Sequence, residues 1–527
     1  MTTRRRIALG SAAVAAASVA LGLWARQGAD ATPTSDIAVI ESYTLLASQG
    51  NLLLGPYSRF QWHHPGPLYF FWMVPFYVLS GFRTTGLYAG ALALNLLSLS
   101  LIVWVLARRA HHVVAITVCA ALAVYSWRAA ELLASPWNPH IPVLPMAALL
   151  LIAADVVSGS AAMLPLAAVI ASLVGQTHIA LFPSASAIGV CTVAAVFLSV
   201  RRTESPGRAA LARIALATAA AVAACWMPSI IEQLSSRPGN MTLLWSYFMV
   251  DTHPAQSFAV AVSAWSDMLS GIVRPDFYVA QGWLFRESPV IWAELLTIAQ
   301  LLGLATWTII GYRTRQGFEP SLALILALSS AIALWSTTRV DGEIFDHGVF
   351  WMSGVGVLNT ALLVSLVVRW LARSRPNRRP GLRTVTIACA LLMVVATGTG
   401  VRELRHAIER ATDPGEEWGA ASAVAADLLA YTKEHRLSRP LIKIDQDAWG
   451  IAAGVILRLQ KSQVPVAIED DWIVMFTPAF AATGHESEVL TIAGKAQHIR
   501  LLDDPGEVVV VSREPIYVHL ARKSIGP

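Results

Sequence analysis

Charge is scarce in this chain. Only 14% of its 527 residues are Asp, Glu, Lys or Arg, whereas 55% are hydrophobic and the mean hydropathy is +0.55. A water-soluble protein of this length needs more charge to cover its surface. A disordered chain is poor in apolar residues, so that class is excluded too. Cysteine is equally sparse. Cys119, Cys191, Cys225 and Cys389 all lie inside apolar runs, which excludes a disulfide scaffold and reads as packed, inert thiols. There is no P-loop, which disfavours an ATP-driven pump, and no G-x-S-x-G, H-E-x-x-H or C-x-x-C motif. Internal repeats and low-complexity segments are also missing. The net charge of +5 comes from basic residues in short clusters between apolar stretches. That is the pattern of positive cytoplasmic loops and not of a nucleic-acid-binding surface.

Long apolar runs are what the chain does have. A membrane-spanning helix needs about 20 mostly apolar residues. Such stretches fall at roughly 7–24, 87–107, 113–127, 139–155, 161–176, 179–199, 209–228, 289–312, 319–336, 347–370 and 382–401, which predicts an α-helical polytopic membrane protein with about 11 transmembrane helices. Arg4-Arg5-Arg6 places the amino terminus in the cytoplasm. Alternation then puts Arg108-Arg109, Arg201-Arg202 with Arg208 and Arg213, Arg313 with Arg315, and the basic run over 369–383 on the same side. The carboxyl terminus falls outside. A cleaved, twin-arginine-like signal peptide is the other reading of the start. An uncleaved anchor is preferred, because a polytopic chain needs its first helix as a span. The expected location is a bacterial cytoplasmic (inner) membrane, and the Ala- and Arg-rich composition fits a GC-rich bacterium.

Three outer regions are long, at about 25–86, 229–288 and from 402 onward. Residues 66–82 are apolar, but Pro65, Pro67 and Pro75 accompany them. If they spanned, every later charge cluster would be inverted, so they read as juxtamembrane helices at the outer interface. Charges become frequent after residue 402. A helical pattern over 416–437 precedes β-like runs at Leu441–Ile444, 464–468, 472–476 and 508–511. Residues 1–401 therefore read as a transmembrane module and 402–527 as a small extracytoplasmic α/β domain.

Polar residues at membrane depth or at its interface are costly and usually have a reason. Here they gather on the expected outer side. Asp36 and Glu41 follow the first span. Five residues apart, they would point about 140° from each other on one helix, so one acid acts alone. Asp36 as a helix N-cap is the plainer alternative. The aromatic segment 55–69 adds Arg59, His63 and His64, which suit either phosphate binding or interfacial anchoring. The second outer loop holds Glu131, Asn138 and His140, groups able to bind a divalent cation or a phosphate. Gln176 and His178 interrupt two apolar runs, as a site or as a hydrogen-bonded joint. Arg237 and Asn240 could clamp a phosphate, with Trp245, Tyr247 and Phe248 stacking on a sugar or belting the interface. Arg339, Asp341, Glu343 and His347 lie together between the ninth and tenth spans, with Asp346 beside them.

These features resemble the GT-C superfamily of polytopic glycosyltransferases. It includes protein O-mannosyltransferases, the bacterial aminoarabinose transferase of lipid A and family-39-like enzymes. The resemblance rests on Asp36 after the first helix and on His-Pro-Gly-Pro-Leu-Tyr at 64–69, which is similar to an HPPL-type stretch on their juxtamembrane helices. The tracts at 138–145 and 228–240 look like those of bacterial members. Two departures matter. Asp36 lacks the acidic neighbour of the usual two-acid motif, and only Glu131 stands where one branch carries DxD.

The resemblance implies a polyprenyl-phosphate sugar as donor and an envelope glycan, lipid or protein as acceptor. Asp36 would act as the base, with Glu41 as the other acid. Arg59, His63, His64, Arg237 and Arg339 would stabilise the leaving phosphate, and the anomeric centre would invert. A divalent cation, magnesium or manganese, is the cofactor such a site would take. A transporter or flippase would instead show midplane charges and repeated halves, neither of which is evident. A non-catalytic GT-C-like assembly subunit is the third class.

Overall fold

A backbone inside hydrocarbon must satisfy its own amides, and a helix does so within one segment. In the computed structural model a helix underlies each apolar stretch expected between residues 87 and 401. These helices are Thr84–Arg109, His112–Arg128, Val143–Val157, Leu164–Thr177, Phe182–Arg201, Ser205–Ser235, Ile291–Thr314, Phe318–Thr337, Met352–Ala372 and Leu382–Thr412. The structure describes residues 16–201, 205–285, 291–314, 317–372 and 381–522. Arg4 to Arg6, Arg202, Arg315 and most of the basic run over 369–383 lie outside them.

Among the described residues, seven helices are long and apolar enough to cross a membrane. That is fewer than the expected eleven. The shortfall lies in His112–Arg128, Val143–Val157 and Leu164–Thr177, of 17, 15 and 14 residues. Turn residues cut them short, such as Gly159 at φ +115° and the extended His178. Of the first expected span only Ala16–Ala25 is described, again a short helix. Sequence reading also missed a helix, Phe258–Ser270, in what looked like an outer loop. Its apolar residues form one buried stripe, including Ala261, Ala264, Trp265 and Leu269, too short to register as a span.

The chain divides into two compact units, residues 1–90 with 404–527, and residues 91–403. The second unit is the helix bundle, and polar side chains tie its helices where water is absent. Gln300 donates to the Leu269 carbonyl (3.0 Å) and the Thr360 hydroxyl (2.9 Å), and Asn359 donates to Ser330 (3.1 Å). Asp155, fully buried, pairs with both Arg108 and Arg109. Small residues set the closest approaches. A Cβ at Gly356 would lie 2.6 Å from Leu269 Cα.

In the first unit, the carboxyl-terminal segment forms a five-stranded sheet. Its strands are β1 (Leu441–Ile444), β2 (Ala467–Ile468), β3 (Glu488–Ala493), β4 (Glu507–Arg513) and β5 (Ile516–Arg522), in the order β2-β1-β3-β5-β4. β1 runs parallel to β2 and β3, and β5 antiparallel to β3 and β4. The run at 472–476 is not a strand. It folds as a turn, Asp470–Trp472, and a helix, Ile473–Phe476. The Trp472 indole donates to the Ile444 carbonyl (3.1 Å), so a side-chain contact overrides the β-like composition. Helix Gly415–Glu434 packs on β4 and β5, and helix Trp449–Lys461 packs on both helix Gly415–Glu434 and helix Ser35–Ser48. The first-loop helix bearing Asp36 therefore belongs to the same unit as the sheet.

Gly356→Ala is expected to cost about 1–3 kcal/mol by overpacking, seen as a lowered Tm in detergent. Gly348→Ala, where a Cβ meets nothing within 4 Å, should leave Tm unchanged.

Candidate functional site

Asp36 occupies the first turn of helix Ser35–Ser48, where the helix dipole favours a carboxylate. It is not the N-cap. That position is Thr34, whose hydroxyl donates to Glu417 (2.8 Å) instead of capping. The half-buried Asp36 carboxylate accepts the Tyr57 hydroxyl. Burial pushes the Tyr57 phenol well above its usual range, and Asp36 pushes it further, so Tyr57 stays a donor.

Tyr57 sits in a hairpin. It bridges to His63, Ser58 N donates to the Trp62 carbonyl (3.0 Å) and His64 N to the Pro56 carbonyl (2.8 Å). Gln61, at φ +65°, turns the tip. Arg59 is exposed there, its guanidinium 4.9 Å over the Phe60 ring. Phe60 in turn stacks on Trp62 at 6.1 Å. Gly55 lets the strands close, since a Cβ would strike the backbone carbonyls of His64 and Gly66. His63 is buried, with Nε2 3.2 Å from the Tyr43 hydroxyl, which lies 3.3 Å from the Val474 carbonyl. Burial pushes the His63 imidazole down to about 4, so it is neutral at pH 7. His64, also buried, meets Trp62 edge-on at 5.6 Å.

Glu41 faces elsewhere and is fully buried. Its carboxylate accepts from the hydroxyls of Tyr77 (2.9 Å) and Thr84, and from Lys461 Nζ (3.0 Å). Lys461 also pairs with Asp30 (2.7 Å), as does Arg458. Burial opposes the Lys461 charge, yet Glu41 and Asp30 outweigh it and raise the ammonium above its ordinary range. Sequence reading missed Tyr57, Asp30 and Lys461 as functional residues. A basic pair three apart at the end of helix Trp449–Lys461 was the one available signal.

The second unit gathers other candidates. His140 is buried, with Nε2 2.8 Å from the Ala280 carbonyl and Nδ1 2.8 Å from the Ser135 hydroxyl. The carbonyl can only accept, so the ring proton is on Nε2 and Ser135 donates to Nδ1. Trp137 meets both His140 (5.0 Å) and His347 (5.5 Å). His347 is close enough to His140 and His178 to interact electrostatically with each. Asp346, buried, accepts the amides of Gln281 (3.0 Å) and Gly282 (2.9 Å), and the Gln281 side chain donates to Glu131 (2.9 Å). Glu131, His140, His178 and His347 are thus linked through Trp137, Gln281 and Asp346, and Asn138 is half-buried.

The remaining candidates have other surroundings. Gln176 donates to the Cys225 carbonyl (2.9 Å), a helix-to-helix joint. Asn240 is buried and its backbone amide donates to Glu232 (2.9 Å), while Arg237 is exposed. Asp341 accepts the Tyr247 hydroxyl (3.2 Å) and lies 3.1 Å from the His253 ring. Arg339 and Glu343 are exposed.

These residues do not fit a metal ion. Both His140 nitrogens are committed, Asp346 is held by two amides and Glu131 by a third. Among the described residues no cluster of three or more His, Cys, Asp or Glu could hold one.

Lys461→Met would leave Glu41 buried without its cation. The expected loss is about 3–5 kcal/mol, measured as a fall in Tm, with Lys461→Arg losing less. His63 predicts a pH dependence. It titrates near 4 folded, against an ordinary value of 6.5, so between these values the unfolded chain binds the extra proton. Its contribution is complete above about pH 6.5 and is lost as the pH falls toward 4. His63→Gln should flatten that limb of a Tm–pH curve.

No family model matches the chain, and no curated protein matches it. Solved structures do. The chain is similar to ArnT from Cupriavidus metallidurans bound to undecaprenyl phosphate, with a TM-score of 0.51 at 12% identity, covering 100% of both chains. The apo state of the same protein gives a TM-score of 0.51 and 12% identity over 99% of this chain and 100% of that one. The fold of this chain is therefore the GT-C-like membrane fold that ArnT has, with a small carboxyl-terminal sheet domain.

Proposed function

We propose that this chain is an integral membrane glycosyltransferase that moves a sugar from a polyprenyl-phosphate donor to an extracytoplasmic acceptor. One observation carries the reading, the end-to-end likeness to ArnT in complex with undecaprenyl phosphate. A lipid-linked donor also gives a reason for the extensive apolar helices, because its tail must lie in the bilayer. The proposed orientation has the amino terminus in the cytoplasm and residues 402–527 outside. The acceptor is an envelope glycan, lipid or protein.

In the proposed step the acceptor oxygen forms a bond to the sugar C1. The bond from C1 to the phosphate oxygen breaks, polyprenyl phosphate leaves with its electron pair, and the hydroxyl proton passes to Asp36. Direct displacement inverts C1. Asp36 is preferred to Glu41 on exposure and partners. Asp36 is half-buried and accepts a neutral phenol, whereas Glu41 is fully buried against an ammonium group and two hydroxyls. Tyr57 orients the base. Arg59, exposed at the hairpin tip, suits the leaving phosphate. His63, neutral and packed, serves the hairpin's shape. No metal is assigned a role.

The test is transfer from labelled polyprenyl-phosphate sugars, in membranes containing the protein and a panel of extracted envelope acceptors. Asp36→Asn should lower kcat by about 10²–10⁴ at equal expression, while Glu41→Gln keeps kcat in the folded fraction. Undiminished transfer in Asp36→Asn would remove Asp36 as base.

A further inference from the structure

One aromatic pair in the second unit has no part in the chemistry above. Tyr278 is 42% exposed and Trp283 61%. Their ring centroids are 5.7 Å apart, with 39° between the planes. The backbone that presents them is fixed. Gly282, at φ +85°, has Trp137 beneath it, and a Cβ there would meet that ring at 3.6 Å. Asp346 holds the Gln281 and Gly282 amides, and Phe285 N donates to the Ile344 carbonyl (2.8 Å). Large apolar rings left exposed on a preorganised loop mark a recognition surface.

Two surfaces would welcome such rings, a lipid headgroup zone and a sugar. The rim decides between them. The exposed Gln281 carries a side-chain amide fixed on Glu131. Asp276 is exposed and gripped by Arg274 at 3.0 and 2.6 Å, while Arg274 also pairs with Asp267. Glu343, exposed, lies two residues before Phe345, which bridges to Leu284. Among the described residues the exposed charges around the rings are therefore carboxylates, while the nearby arginines are engaged, Arg274 by Asp267 and Asp276 and half-buried Arg128 by the carbonyls of Ile272, Arg274 and Pro275. Anionic headgroups and phosphate esters are repelled by such a rim. A neutral sugar suits it: its C–H face stacks on an aromatic ring, its hydroxyls donate to carboxylates, and a planar amide offers both a donor and an acceptor.

We infer that Tyr278 and Trp283, rimmed by Glu131, Gln281, Asp276 and Glu343, form a binding platform for an uncharged glycan. As an acceptor site it rests on the glycosyltransferase reading and narrows the acceptor to a carbohydrate. As a binding site it stands alone.

The test uses the full chain in nanodiscs of neutral phosphatidylcholine, with cellotetraose, chitotetraose and mannotetraose as probes and saturation-transfer NMR and calorimetry as readouts. At least one probe should bind saturably. Trp283→Ala should weaken it by about tenfold, and Tyr278→Ala and Glu131→Gln by smaller factors. Both rings are at the surface, so an unchanged Tm shows that these variants fold. No binding of any probe to the wild type, or equal binding to Trp283→Ala, overturns the platform. In brominated phosphatidylcholine, the platform is also overturned if Trp283→Phe removes a bromine-quenched share of the emission, because the ring then sits in lipid. Binding without transfer from any donor keeps the platform and sinks the transferase reading. Transfer by a wild type that binds none of the probes does the reverse.

Discussion

A carboxylate withdrawn from water must find a cation or give up its charge. Glu41 finds Lys461, 420 residues further along the chain. Neither partner is stable in that place alone, so the first loop and the carboxyl-terminal segment fold as one unit. Around the pair, Ser42 donates to Gln460 (2.7 Å), Thr34 to Glu417 (2.8 Å) and Tyr43 to the Val474 carbonyl (3.3 Å). Helix Ser35–Ser48 is thereby fixed along its length. Asp36, at its start, is half-buried and accepts the Tyr57 hydroxyl. A general base needs a fixed position together with access from outside.

The histidines have a different part. His63 and His140 are buried and hydrogen-bonded, and each shapes a loop. His63 closes the hairpin that brings Tyr57 to Asp36. His140 joins the loop after helix His112–Arg128 to the segment at Ala280. Asp346 fixes that segment further through two amides. Buried polar networks of this kind specify one loop conformation when fully satisfied. They leave the charged chemistry to half-buried Asp36 among the acids and exposed Arg59 among the cations.

Much of this was legible in the sequence. The helices were, because hydropathy and turn residues are local signals. Helix Phe258–Ser270 was not, since one buried stripe of 13 residues looks like an aromatic-rich loop. The segment 472–476 misled for the opposite reason: its residues favour strands, but the Trp472 indole is claimed by the Ile444 carbonyl. The separation of Asp36 from Glu41 was legible through helical geometry. The identity of Glu41's partner was not, because nothing local near residue 461 points to residue 41. Glu131 and His140 were read together in one loop, His178 with Gln176, and His347 with the charged run at 339–347. Their linkage is a property of the packing.

Transfer and transport make opposite statements about one bond. The most direct measurement follows a doubly labelled undecaprenyl-phosphate sugar, marked in the sugar and in the lipid, in proteoliposomes containing the protein and an envelope acceptor fraction. Separation of the two labels, with the sugar in a new glycosidic bond of inverted configuration and the lipid recovered as undecaprenyl phosphate, is the expected result. Labels that cross the bilayer together, with the bond from C1 to phosphate intact, would contradict a glycosyltransferase and identify a carrier.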